Sequence, residues 1–119
     1  MAYHEDLAER VRAIIKKDKP GKIEEKKMFG GLCFMVNGKM CVCIRADSIL
    51  VKLSPEDYVR TIEDGTLEPM LHIGRQMTGF GYVDQDMLLT AKQLTYWIKL
   101  ALQYNVAARA LALKKKKGY

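Results

Sequence analysis

The chain has 119 residues, 49% of them hydrophobic and 29% charged, with a net charge of +6. That length suits one domain, able to bury a core without disulfide or metal support, and no apolar run approaches the ~20 residues of a membrane span. Four of the positive charges are the run Lys114, Lys115, Lys116 and Lys117, so the body is close to neutral and lacks the broad basic footprint of a dedicated nucleic-acid binder. The start, "MAYHEDLAER", has neither the basic nor the apolar region of a signal peptide. Three cysteines, an odd number, form no disulfide framework, and a reducing cytoplasm is the expected compartment.

The first segment predicts a helix. Leu7, Ala8, Val11, Ile14 and Ile15 fall on one face at the helical period. Glu5 and Asp6 near its start and Lys16 and Lys17 near its end suit the helix dipole. "KPG" at residues 19–21 then breaks the chain. "IEEKKMF" predicts a short strand, charged enough for a sheet edge.

Next comes "GGLCFMVNGKMCVCIR". Asn37-Gly38 between two β-prone runs predicts a type I′ hairpin, whose two central residues need positive φ. Gly30-Gly31 predicts a bulge or sharp bend where a side chain would not fit. "SILVKL" follows a tight turn at Ala46-Asp47 and continues the meander.

A second helix is punctuated by Ser54 as N-cap, Pro55 at N1 and Gly65 beyond its end, with Leu53 and Tyr58 as a hydrophobic staple. "EPMLHIG" and "TGFGYVDQDM" read as two strands joined around Gly74. Thr90 and Gln93 make a capping box, and Leu89 and Leu94 a second staple. The third helix then buries Leu94, Trp97, Ile98, Ala101 and Leu102. Extended to Leu113 it would be about 35 Å long, more than so small a domain covers. Its last part is expected to project, bend near Asn105, or pack on another chain. The expected architecture is α+β, an antiparallel sheet of about five strands with helices. Residues 1–104 form the domain and residues 105–119 a helical extension with a basic tail.

Counting outward from Asn37-Gly38 pairs Met35 with Met40, Phe34 with Cys41, Cys33 with Val42 and Leu32 with Cys43. Opposed residues share a face. Cys41 and Cys43 therefore line one side with Leu32, Phe34 and Val36. Cys33 lies on the other with Met35, Met40, Val42 and Ile44. Three thiols so divided cannot converge on one ion, and C-x-C on a flat strand is a poor zinc site. Packing is the expected use of the sulfur, with no metal and no cofactor. Both faces of the hairpin are apolar, so either helices cover both or one face meets a second copy. A homodimer is the favoured reading, with Cys33, Met35, Met40, Val42, Val106 and Leu113 as interface candidates.

"KKMFGGLCFMVNGKMCVCI", "SILVKL", "EPM…GFGYV" and "LLTAKQLTYWIKLAL" together resemble the N-terminal domain of the TfoX/Sxy family. The resemblance spans roughly Leu7 to Tyr104. It implies a two-layer α+β sandwich like that of secretion-chaperone-like domains. Named members regulate bacterial competence genes, with a transcription activator as partner. Many short members carry this domain alone; longer ones add a helical C-terminal domain, for which "NVAARALALKKKKGY" is too short. The resemblance carries no catalytic residues. On Phe29, Gly30, Gly31, Gly38, Lys39, Pro69 and Trp97 it carries a structural pattern.

An enzyme is not expected. His4 and His72 are the only histidines, and His72 is expected to alternate outward on a strand. Asp84 and Asp86 are expected to share a strand face as a solvated edge. There is no Walker A or dinucleotide fingerprint. The expected function is a non-catalytic interaction domain that self-associates and meets a protein partner such as a transcription regulator. The alternative is non-specific nucleic-acid binding through Lys114–Lys117, which would be phosphate-directed and salt-sensitive. No membrane partner is expected.

Overall fold

Each helix starts on a side chain that satisfies one of its free amides. The computed structural model describes residues 3–28, 30–72 and 74–116, without the side chains of His72, Arg75, Gln76 and residues 109–116. Helix α1 spans Glu5–Asp18, and His4 Nδ1 accepts from the Leu7 amide at 3.1 Å. Lys19, left-handed at φ 51°, ends it where "KPG" predicts a break. Helix α2 spans Pro55–Glu63; Ser54 Oγ accepts from the Asp57 amide at 3.2 Å, and Gly65 follows at φ 76°.

Helix α3 spans Ala91–Lys116 behind the expected capping box, with the Gln93 amide on Thr90 Oγ1 and the Thr90 amide on Gln93 Oε1, both at 3.0 Å. Its predicted stripe is buried. The second staple does not form, because Leu89 turns outward and is 71% exposed while Leu94 is fully buried.

The strands are β1 (Ile23–Met28), β2 (Gly31–Val36), β3 (Lys39–Ile44), β4 (Ser48–Lys52), β5 (Glu68–His72) and β6 (Arg75–Asp84). They form one antiparallel sheet in the order β1-β2-β3-β4-β6-β5, six strands where about five are expected. Asp84 ends β6 and caps a single 3-10 turn, its Oδ2 accepting from the Asp86 amide at 2.9 Å. Asp84 and Asp86 therefore do not share a strand face, contrary to expectation.

The Asn-Gly turn is as predicted, with φ 54° at Asn37 and 83° at Gly38. Asn37 also ties the hairpin to the α1–β1 connection. Its Oδ1 accepts from the Lys22 amide and its Nδ2 donates to the Pro20 carbonyl, each at 3.1 Å. Asn37→Gly keeps the turn geometry and removes both bonds. We expect it to lower stability by about 1–2 kcal/mol in urea unfolding; an unchanged midpoint would make those bonds energetically idle.

The hairpin register differs from the count outward from the turn. Met35 opposes Met40, but Phe34 opposes Val42, Cys33 opposes Cys43 and Leu32 opposes Ile44. Cys41 is the extra residue of a β-bulge, and beyond it every partner shifts by one. Two corrections follow. Cys33 and Cys43 share a face, and Cys41 lies on the other. Val42 and Ile44 face the helices rather than the opposite side.

All three helices pack on one face of the sheet. Leu7, Val11 and Ile15 of α1, Tyr58 of α2, and Leu94, Trp97 and Ile98 of α3 meet Leu32, Phe34, Val36, Val42, Ile44, Ile49 and Val51. The layer is pinned at its β1 edge by Arg12, whose Nε and Nη2 both reach the Glu25 carboxylate at 2.7 Å. That hydrogen-bonded guanidinium holds the Glu25 carboxyl below its ordinary value. The second face has its own small cluster, to which no helix contributes. The fold is a two-layer α+β domain.

Candidate functional site

The helix-free face draws attention first, because an apolar sheet face without a covering layer normally alternates with polar residues. Its central row runs from Lys26 through Cys33, Cys43 and Leu50 to Tyr82 and Glu68, one residue per strand from edge to edge. Cys33, Cys43 and Leu50 are 0% exposed although no helix lies above them. The neighbouring long side chains close over the short ones. Met28, Met35, Met40, Phe80 and Tyr82, all half-buried, pack against the row. Unbranched methionine suits such an irregular cover. Two cations lie over the aromatic rings: the Arg45 guanidinium 5.2 Å from the Tyr82 centroid and Lys52 Nζ 4.3 Å from that of Phe80. The face is therefore largely closed by its own residues.

The two thiols of the row form a pair. Both thiols donate to the Met28 carbonyl oxygen, each with its sulfur at 3.6 Å. A proton offered by the neighbouring Cys43 thiol, helped by the charge of Arg45, favours the Cys33 thiolate and holds that thiol below its ordinary value, while burial opposes it. The same interaction, with burial, pushes Cys43 up. Cys41 has no such partner in its shift, and burial under the helices pushes it up to about 12.

At the end of the face where α3 crosses β3 and β4 there is a cavity of about 220 Å³. Lys39, Met40, Lys52, Phe80, Tyr104 and Asn105 line it. Lys52 Nζ donates to the Thr78 carbonyl at 3.2 Å and lies 5.7 Å from the Tyr104 centroid. Burial pulls its ammonium below the ordinary lysine value. Asn105, 4% exposed, donates from Nδ2 to the Val36 carbonyl at 3.0 Å and so fixes α3 on the hairpin end. Sequence reasoning missed this cavity. The one signal was Lys52, a charge that shares a strand face with the buried Leu50 in "SILVKL".

Compared with protein families, residues 17–104 match the TfoX N-terminal domain. The chain belongs to the TfoX N-terminal domain family. A comparison with curated proteins gave no match. The matched span takes in the whole sheet and α3 up to the residue before Asn105.

Most of the TfoX motif residues have a visible structural reason in this chain. Gly30 and Gly38 have φ 72° and 83°, conformations that glycine adopts freely. Gly31 pairs with Met28 so closely against β3 that a Cβ would run into the Ile44 carbonyl. Lys39 opposes Val36 beside the turn and lines the cavity. Pro69 opposes Gly81 on edge strand β5, where a missing amide costs little. Trp97 is 3% exposed in the helix–sheet core. Phe29 lies outside the described residues.

The interface candidates do not form one patch on the TfoX domain. Cys33 is buried and Met35 and Met40 half-buried on the helix-free face, Val42 is in the main core, and Val106 is 49% exposed on α3. Leu113 lies on α3, its side chain outside the description. Lys114, Lys115 and Lys116 occupy the last turn of α3, also without described side chains, and Lys117 lies outside the described residues. His72 lies on β5, its side chain likewise undescribed. Among the described residues no group of three or more His, Cys, Asp or Glu is placed to hold a metal, and no helix is long and apolar enough to cross a membrane.

Proposed function

We propose that this TfoX-type domain is a non-catalytic regulatory module of the cytoplasm. It pairs with a second copy of itself through the far end of α3, and as a dimer it meets a protein partner such as a transcription regulator. One observation carries the pairing. The chain exposes 7480 Å², whereas a compact monomer of 13.6 kDa exposes about 6,600 Å². Helix α3 accounts for the elongation. Its 26 residues span about 39 Å by the usual helical rise, against a longest molecular dimension of 44 Å. Asn105 is the last of its described side chains to be buried; Val106 and Ala107 are exposed. The helix continues through "AARALAL", rich in alanine and leucine around the single charge of Arg109, a composition that suits packing against its own copy.

The groups that could move protons have structural uses that favour the non-catalytic reading. His4 and Ser54 cap helices, and Asp84 caps a turn. Sedimentation velocity between 1 and 100 μM, roughly the range in which a standard interface assembles, tests the pairing. A dimer at the upper end is expected, and a monomer throughout would overturn it. The lysine run at the end of the same helix supports a second reading, non-specific binding to nucleic acid. A pull-down from cell extract with and without nuclease separates the two: protein capture that survives nuclease favours the first, and loss of all capture the second.

A further inference from the structure

We infer that Cys33 and Cys43 form an oxidisable dithiol, a modification site that a hydroperoxide converts to a disulfide across β2 and β3 while Cys41 stays reduced. The β-bulge at Cys41 makes the site. Without it Cys33 would oppose Val42; with it the two cysteines stand directly opposite each other. Opposed residues of antiparallel strands have Cα atoms about 4.5 or 5.5 Å apart, within the range a disulfide spans. Both thiols already converge on one acceptor, the Met28 carbonyl oxygen 3.6 Å from each sulfur, so closing the bond needs side-chain rotation and a small approach rather than strand movement.

The face on which they lie makes them reachable. Their cover comes from side chains of the sheet itself, Met28, Met35 and Tyr82 among them half-buried, and no helix contributes to their cluster. Cys41, by contrast, belongs to the cluster beneath the helices. The local charge also favours attack. Arg45 stabilises the Cys33 thiolate, and Lys26 stands opposite Cys33 on β1.

The chemistry closes with hydrogen peroxide as the two-electron oxidant. The Cys33 thiolate attacks one peroxide oxygen; an S–O bond forms, the O–O bond breaks, and hydroxide leaves to take up a proton as water. Cys43 then attacks the resulting sulfenic sulfur. The S–S bond forms, the S–O bond breaks, and the departing hydroxide leaves as water with the proton from Cys43. Both sulfurs are oxidised by one electron each and the peroxide is reduced to two waters. The Met28 carbonyl, which faces both thiols at 3.6 Å, then loses both donors, so the oxidation acts on the end of β1 beside Gly30 and Gly31.

The test treats the full chain with hydrogen peroxide, alkylates it under denaturing conditions, and maps unreduced peptides by mass spectrometry. The expected product is a single chain with no covalent link to another, has lost two hydrogens, takes alkylation on Cys41 alone, and yields a peptide linking Cys33 to Cys43. Oxygen added to the methionines is read separately by its mass. Cys41→Ser should still form the link, and Cys33→Ser and Cys43→Ser should not. Linkage through Cys41, chain-to-chain links only, or three alkylated cysteines in the native protein would each overturn the inference, whether or not a variant folds.

Discussion

Gly31→Ala should destabilise the domain by about 3 kcal/mol, close to half the total of a marginal fold. The added Cβ would overlap the Ile44 carbonyl oxygen and stand 3.1 Å from Cys43 Sγ. The first obstacle is backbone on the partner strand, so it cannot rotate away. Relief requires β2 and β3 to separate where Leu32 and Ile44 pair, directly over the main core. The neighbouring Gly30→Ala is the control. It sits at φ 72°, but only the far end of Arg45 approaches it, at 3.8 Å. It should cost only the ~1 kcal/mol of a left-handed alanine. Chemical denaturation of both variants checks the contrast. Equal losses would mean that the Gly-Gly pair is there for backbone conformation alone.

Trp97→Ala should cost about 3–5 kcal/mol, the range for removing a large buried aromatic. Trp97 is 3% exposed, on the α3 stripe that also buries Leu94, Ile98, Ala101 and Leu102. Its ring meets that of Tyr96 edge-on at 5.3 Å between centroids, and Tyr96 in turn accepts a hydrogen bond from Arg60 of α2 at 2.8 Å. The substitution therefore opens the core and loosens the α2–α3 contact together. Trp97→Phe, which keeps an aromatic ring, should recover more than half of the loss. A small effect of the alanine variant in urea unfolding would show that α3 is held mainly at its Asn105 end.

The elements were legible in the sequence where polar and apolar residues alternate or a cap announces an end. Ser54-Pro55 and Thr90 with Gln93 marked helix starts, and both caps form. The Asn37-Gly38 turn was equally plain. The register beyond it was not, and the reason is physical. Nearly every residue from Leu32 to Val36 and from Met40 to Ile44 is apolar. A one-residue slip normally betrays itself by moving polar residues into a core; here it moves one apolar set in place of another. The bulge puts Cys41 into the core beneath the helices beside Val42, an arrangement that the local sequence does not display.

The same ambiguity hid the dithiol. Cys33 and Cys43 meet only because the bulge shifts the pairing. It also made the helix-free face look as though it required a partner. Methionine, tyrosine and phenylalanine side chains close that face from within one chain, a tertiary arrangement invisible to strand periodicity. For α3 the capping box and the apolar stripe marked the start and a helix as far as Leu113, with a bend near Asn105 left open; it runs on without a break to Lys116.

The proposed self-association is tested most directly by sedimentation velocity of the wild-type chain beside Val106→Glu. Val106 is 49% exposed, so a carboxylate there leaves the monomer fold intact while placing like charges against each other in a paired α3. A dimer for the wild type and a folded monomer for the variant is the predicted result. Identical sedimentation of the two proteins, whether both single or both paired, would contradict pairing through the end of α3.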